Sequence, residues 1–272
     1  MRHRGPDEIQ RHVLATYRSL RVGIIVVAAI LPLLLWLGGA AWYGLAKQGS
    51  MSAYYHATTT AAFQRCEARC QEIAPQGADA VKADPELKQC RTEQKGAGRM
   101  RNWFVGLLWG TGIFLYLYKG FSTAEDLLLN GAGIAAVGVA MVPMDLWVIS
   151  KSLTWHGASA GSLFIAIAAV AIFCARDTLG LITNPDERKR FERIYRGIGI
   201  AMIAVPAGTW LVTVKFDNRS DAVYWLEALS IWTFAVYWAV KSYEMLRKGT
   251  EQRALCGELE SVDGKIREAV KK

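Results

Sequence analysis

The sequence lacks the short motifs that identify many metal enzymes. Its five Cys fit no zinc-ribbon spacing, and none of its four His begins the His-Glu-x-x-His pattern of zinc peptidases. Long polar stretches between the apolar runs are also scarce, since residues 47–102 form the one extended example. Because these motifs are absent, no motif identifies a reaction class. The fold has to be inferred from composition and spacing.

Composition indicates a multi-pass membrane protein. Apolar residues make up 52% of the 272 residues, there are 10 Trp, and uncharged apolar runs recur along the chain. A net charge of +8 would suggest a nucleic-acid partner in a soluble chain. Here the Lys and Arg residues flank the apolar runs, where they set orientation in the bilayer, so no nucleic acid is expected.

We predict an all-α fold, a six-span transmembrane helical bundle. The first apolar run is too long for the core of a signal peptide and should remain as a span. The predicted spans are residues 22–46, 103–118, 127–148, 153–175, 194–214 and 222–240. Residues 1–21 and 241–272 are predicted to form cytoplasmic terminal helices.

The distribution of basic residues predicts the orientation. Segments that would share a side with the N-terminus carry most of the 32 Lys and Arg residues, so both termini should be cytoplasmic. Residues 47–102 would then be an extracytoplasmic helical insert, broken near Ala74–Gly77, with a second helix opened by Pro85 and capped by Asp84. In that oxidising compartment Cys90 is predicted to form a disulfide with either Cys66 or Cys70.

This topology brings four polar residues to one depth near the outer face: His56, Asp145, His156 and Glu227. A short hinge, Ile149–Thr154, pairs the third and fourth spans and so joins Asp145 to His156. Two imidazoles and two carboxylates suit a divalent metal such as zinc with an open coordination position. The alternatives are a hydrogen-bonded structural pair, and a polar ligand site or proton pathway.

Ser52 stands four residues before His56, so on a helix the two share a face and Ser52 would orient the imidazole. The strings Ser50-Met-Ser-Ala-Tyr-Tyr-His56, Arg101-Asn-Trp-Phe-Val-Gly106, Tyr118-Lys-Gly120 and the run 130–143 resemble a group of small bacterial multi-pass membrane proteins of uncharacterised function. That resemblance implies a bacterial inner-membrane location and makes residues 63–98 an insertion.

The Ser52-x-x-x-His56 spacing also resembles one motif of the ceramidase and adiponectin-receptor-like superfamily. Those seven-span proteins hold zinc with three His and hydrolyse lipid amides, which implies a zinc-dependent activity for this chain. The His-x-x-x-His pair of that superfamily's last span has no counterpart here, because residues 222–240 contain no His.

Three functions follow as hypotheses. The first is binding of a lipid or small molecule at the outer face. A second is a metal-dependent membrane hydrolase, an enzyme acting on a lipid or amide with Asp145 or Glu227 as ligand or general base. The third is an accessory subunit that holds partner proteins through 47–102 or 241–272.

Overall fold

The computed structural model describes residues 6–57, 60–94, 98–144, 154–216 and 221–248. Helices and short turns account for these ranges, and no strand occurs in them. The α-helices are α1 (Pro6–Leu33), α2 (Gly39–Tyr43), α3 (Thr60–Ile73), α4 (Ala78–Ala83), α5 (Pro85–Gln94), α6 (Arg101–Leu117), α7 (Thr123–Met141), α8 (Trp155–Ala169), α9 (Ala175–Leu179), α10 (Pro185–Phe216) and α11 (Asp221–Lys248). The prediction of an all-α fold is therefore confirmed for this part of the chain.

Five helical stretches in these ranges are long and apolar enough to cross a membrane. They are Gln10–Tyr43, Thr123–Met141, Trp155–Leu179, Pro185–Leu211 and Ala222–Arg247. The predicted second span corresponds to α6, whose 17 residues extend about 25 Å at about 1.5 Å per residue. That length is somewhat short of a hydrocarbon core about 30 Å thick.

Local sequence signals set the helix ends. Ser122 caps α7 by accepting from the Glu125 amide at 3.2 Å, and Thr154 caps α8 by accepting from the Gly157 amide at 3.1 Å. Pro143 ends α7, since a proline cannot donate to the helix ladder and forces the preceding residue into an extended conformation. Both helices therefore begin at a polar capping residue, and α7 ends at a proline.

Pro32 lies inside the first span and disturbs its hydrogen bonds. A single π-helical turn, Leu34–Gly38, follows it before the α-helix resumes as α2. The Tyr224 hydroxyl donates to the Pro32 carbonyl at 2.5 Å, so a neighbouring helix satisfies a backbone group near the break. This is the adjustment expected of a proline in a membrane helix.

Helices α6 and α7 approach each other closely at two glycines. A Cβ on Gly112 would lie 2.8 Å from the Gly133 carbonyl oxygen, and a Cβ on Gly133 would lie 2.6 Å from the Gly112 carbonyl oxygen. Only hydrogen atoms fit at this crossing, so α6 packs backbone to backbone against a helix long enough to span.

Helices α3 to α5 form a small unit with its own apolar cluster of Cys70, Ile73, Val81 and Leu87. The predicted break falls at a 3₁₀ turn, Ala74–Gln76, and Asp84 caps α5 by accepting from the Leu87 amide at 2.8 Å. Cys66 and Cys90 form a disulfide bond, and the buried Cys70 takes no part in it. The segments before and after this unit lie side by side, since the Arg99 amide donates to the Ala57 carbonyl at 3.2 Å.

Several helix ends differ from the predicted span boundaries. Helix α1 runs without interruption through residue 21, and α11 continues eight residues beyond the predicted end of the sixth span. Helix α7 ends at Met141, before the predicted end at residue 148. Asp145, the hinge Ile149–Thr154 up to residue 153, and most of the predicted C-terminal helix lie outside the described ranges.

Candidate functional site

A turn between α2 and α3 is held by a carboxylate from α11. The Ser50 hydroxyl donates to Glu227, with Oγ 2.9 Å and 3.0 Å from the two carboxylate oxygens, and the Met51 amide donates to Oε2 at 2.6 Å. The Ser52 amide in turn donates to Ser50 Oγ at 3.2 Å. Glu227 therefore fixes the backbone that carries Ser52.

Tyr54 anchors the same turn from its other side. Its side chain is fully buried, it packs beside Gly39, and its phenol oxygen accepts from the Gln48 amide at 3.3 Å. Burial raises the pKa of Tyr54 to about 12, which keeps the phenol neutral across the physiological range. The turn is thus rigidly seated on the bundle.

Ser52 contacts His156 across 104 residues of sequence. Ser52 Oγ lies 2.8 Å from His156 Nε2, and His156 Nδ1 lies 2.7 Å from the Val142 carbonyl oxygen. A carbonyl oxygen can only accept, so Nδ1 carries the proton. In the neutral ring Nε2 is then the acceptor, and the Ser52 hydroxyl donates to it.

Pro143 explains why backbone carbonyls are available to this imidazole. Since a proline has no N–H, the Val139 carbonyl loses its α-helical donor, and it also faces His156. The Val142 carbonyl follows the last helical residue, in an extended conformation that turns it out of the ladder. The His156 side chain therefore contacts backbone carbonyls at the C-terminal end of α7.

His56 is the second imidazole at this end of the bundle. Its Nε2 lies 3.0 Å from the Met144 carbonyl oxygen, and Ser50 Oγ lies 3.7 Å from the Met144 sulfur. Residues Ser52–Tyr55 form a 3₁₀ helix rather than an α-helix, so Ser52 and His56 do not share the predicted face. The predicted role of Ser52 was wrong in this respect, because its hydroxyl orients His156.

Three of the four predicted site residues lie in the described ranges. Glu227 and His156 are joined through the Ser50–Ser52 turn, and His56 through Met144, whereas Asp145 lies outside the described ranges. Neither ring nitrogen of His156 contacts a carboxylate in the part of the chain that the structure describes. No group of three or more His, Cys, Asp or Glu side chains able to hold a metal occurs there either.

A cavity of about 450 Å³ opens beneath this polar cluster, between α1, α6, α7, α8, α10 and α11. Ser52, His156 and Glu227 line one end of it, and the rest of its wall is mainly aliphatic and aromatic. Its size falls in the range of small-molecule sites, about 300–1,000 Å³. The arrangement suits a ligand with an apolar body and a hydrogen-bonding end.

The opposite end of α11 carries a second buried polar cluster. Lys241 Nζ donates to Thr178 Oγ1 at 2.8 Å and lies 3.7 Å from Glu244 Oε2, while the Tyr195 hydroxyl donates to that oxygen at 2.6 Å. Lys241 and Glu244 are 1% and 0% exposed. None of these four residues lines the cavity.

Sequence reasoning missed several of these groups. Ser50 and the carbonyls of Val142 and Met144 gave no signal, because their roles depend on a fold-level contact. Lys241 did carry one, since it follows Glu227 by 14 residues, close to four full turns, and so lies near the same face of α11. Placing the end of the span at residue 240 hid that continuity.

No family model, curated protein or solved structure matches this chain. The two resemblances drawn from short motifs therefore stay predictions. What the protein does has to be inferred from the cavity and the side chains that line it.

Proposed function

We propose that the protein binds a single-chain amphiphile, with the apolar chain in the cavity and the polar head against Ser52, His156 and Glu227. One observation carries the proposal. The cavity is apolar along its length and polar at one end, and at that end each polar group is already oriented by the fold. Such preorganisation lowers the entropic cost of binding a matching head group.

The wall formed by α8 and α10 supports entry from the bilayer. Ile165, Ile203 and Trp210 line the cavity, yet they are 62%, 48% and 59% exposed. These side chains lie on the surface that hydrocarbon would cover, so an amphiphile would reach the cavity sideways between the two helices. No aqueous route for the apolar chain is then needed.

The proposal includes six spans, which are the five long apolar helical stretches and α6, the predicted second span. Its backbone contact with α7 at Gly112 and Gly133 supports this count. We also propose a bacterial inner-membrane location, both termini in the cytoplasm, and α3 to α5 outside. The distribution of basic residues and the Cys66–Cys90 bond, which persists in oxidising compartments, favour this orientation.

The proposal is tested by photo-crosslinking a diazirine-bearing fatty ester to the protein in lipid nanodiscs. We expect labelled peptides from α8 and α10 in the wild type. Ala160 lines the cavity, so Ala160→Phe should fill it and remove the labelling. The matched control is Ala204→Phe, on the exposed face of α10. Equal labelling of both variants would contradict the proposal.

The other two hypotheses are supported less well. A metal-dependent hydrolase needs free imidazole nitrogens, whereas both nitrogens of His156 are engaged by Ser52 and Val142. The accessory-subunit hypothesis, with partners on 47–102 or 241–272, stays a prediction.

A further inference from the structure

Ser52 differs from several other hydroxyls of the bundle in what it contacts. Each of several Ser and Thr side chains donates to a carbonyl four residues earlier in its own helix, which is the ordinary way to satisfy a hydroxyl in a membrane helix. These are Thr16, Thr111, Thr209, Ser230 and Thr233. Ser52 instead contacts an imidazole on another helix.

We propose that Ser52 and His156 are a nucleophile and its general base, and that the protein cleaves a carboxylic ester of the single-chain amphiphile held in the cavity. This inference rests on the proposed function. The geometry has three parts. The hydroxyl lies within hydrogen-bond reach of the base, the base is oriented by a third group at Val142, and both reacting side chains line the cavity.

The reaction balances with water as the co-substrate. Ser52 Oγ forms a bond to the ester carbonyl carbon and its proton passes to His156 Nε2. The carbon–oxygen bond to the alcohol then breaks, and the alcohol leaves with that proton. Water, activated by the same nitrogen, adds to the acyl-serine, and the carboxylic acid leaves as Ser52 regains its proton. No metal or redox partner takes part.

One part of the surroundings favours the negative charge that forms on the ester oxygen. His156 lies in the first turn of α8, whose leading amides have no intrahelical acceptors and carry the positive end of the helix dipole. Since Ser52 Oγ lies 2.8 Å from His156 Nε2, the carbon that Ser52 would attack, where the oxyanion forms, would lie near this positive end. Glu227 acts as a positioning residue, because it holds the Ser50–Ser52 turn without touching the reacting atoms.

A hexadecyl fluorophosphonate tests the inference on the wild-type protein in nanodiscs. Attack by Ser52 Oγ on phosphorus would release fluoride and leave a stable adduct, which peptide mass spectrometry assigns to one residue. We expect the adduct on Ser52 and hydrolysis of long-chain p-nitrophenyl esters in preference to short-chain ones. A folded wild-type protein that stays unlabelled, or that is labelled on another residue, would overturn the inference.

Variants separate catalysis from binding. Ser52→Ala should abolish labelling, and His156→Gln should slow it at least about 100-fold, the usual contribution of a general base. Ser162→Ala is the matched control, since Ser162 is exposed on α8 and does not line the cavity. Labelling of His156→Gln at the wild-type rate would show that His156 is not the general base.

Photo-crosslinking of the fatty ester to each variant distinguishes the two proposals. If the cavity is crosslinked and Ser52 stays inert, the hydrolase inference fails and amphiphile binding stands. Loss of crosslinking in the folded wild type would refute both. Size-exclusion profiles and thermal unfolding of each variant confirm that the bundle is intact, so that an unfolded variant is not counted.

Discussion

Charged residues lie toward both ends of α11, and their surroundings differ. Glu227 lies at one end, where it holds a turn whose next side chain, Ser52, faces a cavity of about 450 Å³. Lys241 and Glu244 lie toward the other end, about 21 Å and about 26 Å from Glu227 along the helix at about 1.5 Å per residue. There they contact each other, Thr178 and Tyr195.

The difference shows that burial of charge does not by itself mark a functional site. A charge inside a membrane costs free energy, so it is either paired with another group or part of a functional site. The hydrogen bonds of the Lys241 cluster join α9, α10 and α11, which is a structural role. The Ser52 and His156 pair lines a space large enough for a ligand, and this is why we assign function to that end.

The largest expected effect is on stability at the Lys241 end. Lys241→Ala leaves Glu244 buried without its cationic neighbour, and breaking a buried ion pair from one side costs about 3–5 kcal/mol. Thermal unfolding in nanodiscs should show a large loss of stability. Arg247→Ala, on an exposed part of the same helix, is the control. Similar stability of the two variants would contradict the structural role of Lys241.

Removing the disulfide should have the next largest effect. Cys90→Ser frees a loop with a sequence separation of 24, which costs about 3 kcal/mol in the chain-entropy model. The loss should appear as faster hydrogen exchange in α3 to α5, with the Lys241 end unchanged. Alkylation of Cys66 and Cys90 in freshly isolated membranes without reductant would show that the bond is absent in the cell.

A change at the junction of the insert should disturb the cavity end alone. Gly98→Ala places a Cβ 2.1 Å from the Tyr55 carbonyl oxygen, so the backbone of the turn that carries Ser52 must move. Overpacking of this kind costs about 1–3 kcal/mol. We expect weaker crosslinking of the fatty ester and unchanged protection around Lys241. Gly77→Ala meets nothing within 4 Å but has a φ of +103°, so Gly106→Ala is the better control.

The smallest expected effect is a pH dependence confined to the insert. Hydrogen bonds from Arg69 and from the Leu87 amide lower the pKa of Asp84 below its ordinary value of 3.8. The carboxylate therefore stabilises the folded insert above that value, and the contribution is lost as the pH falls through the lowered pKa. Proteolysis of the insert at decreasing pH should show this loss, and Asp84→Asn should flatten it.

The sequence was sufficient for the local part of this fold. The capping of α5 by Asp84 follows from residue chemistry and spacing, and it appears in the structure. The predicted boundaries at residues 21 and 240 fall inside α1 and α11, because Arg21 and Lys241 were interpreted as surface charges. Each is almost fully buried, and burial depends on partners from distant segments.

The candidate site was predictable only as a set of residue types. Glu227, His156 and Ser52 could be chosen because polar groups near the ends of apolar runs are costly. Their pairing could not, since the Ser52–His156 contact joins residues 104 positions apart and depends on carbonyls freed by Pro143. Periodicity carries no information about backbone groups of this kind.

Native mass spectrometry of the protein ejected from nanodiscs made with cellular lipids tests the central claim most directly. We predict a one-to-one adduct with a single-chain amphiphile for the wild type and for Ala204→Phe. Ala160→Phe should lose the adduct, because its ring occupies the cavity beneath Ser52 and His156. Retention of the same adduct by Ala160→Phe, or its absence from the folded wild type, would contradict the assignment of function to this end of the bundle.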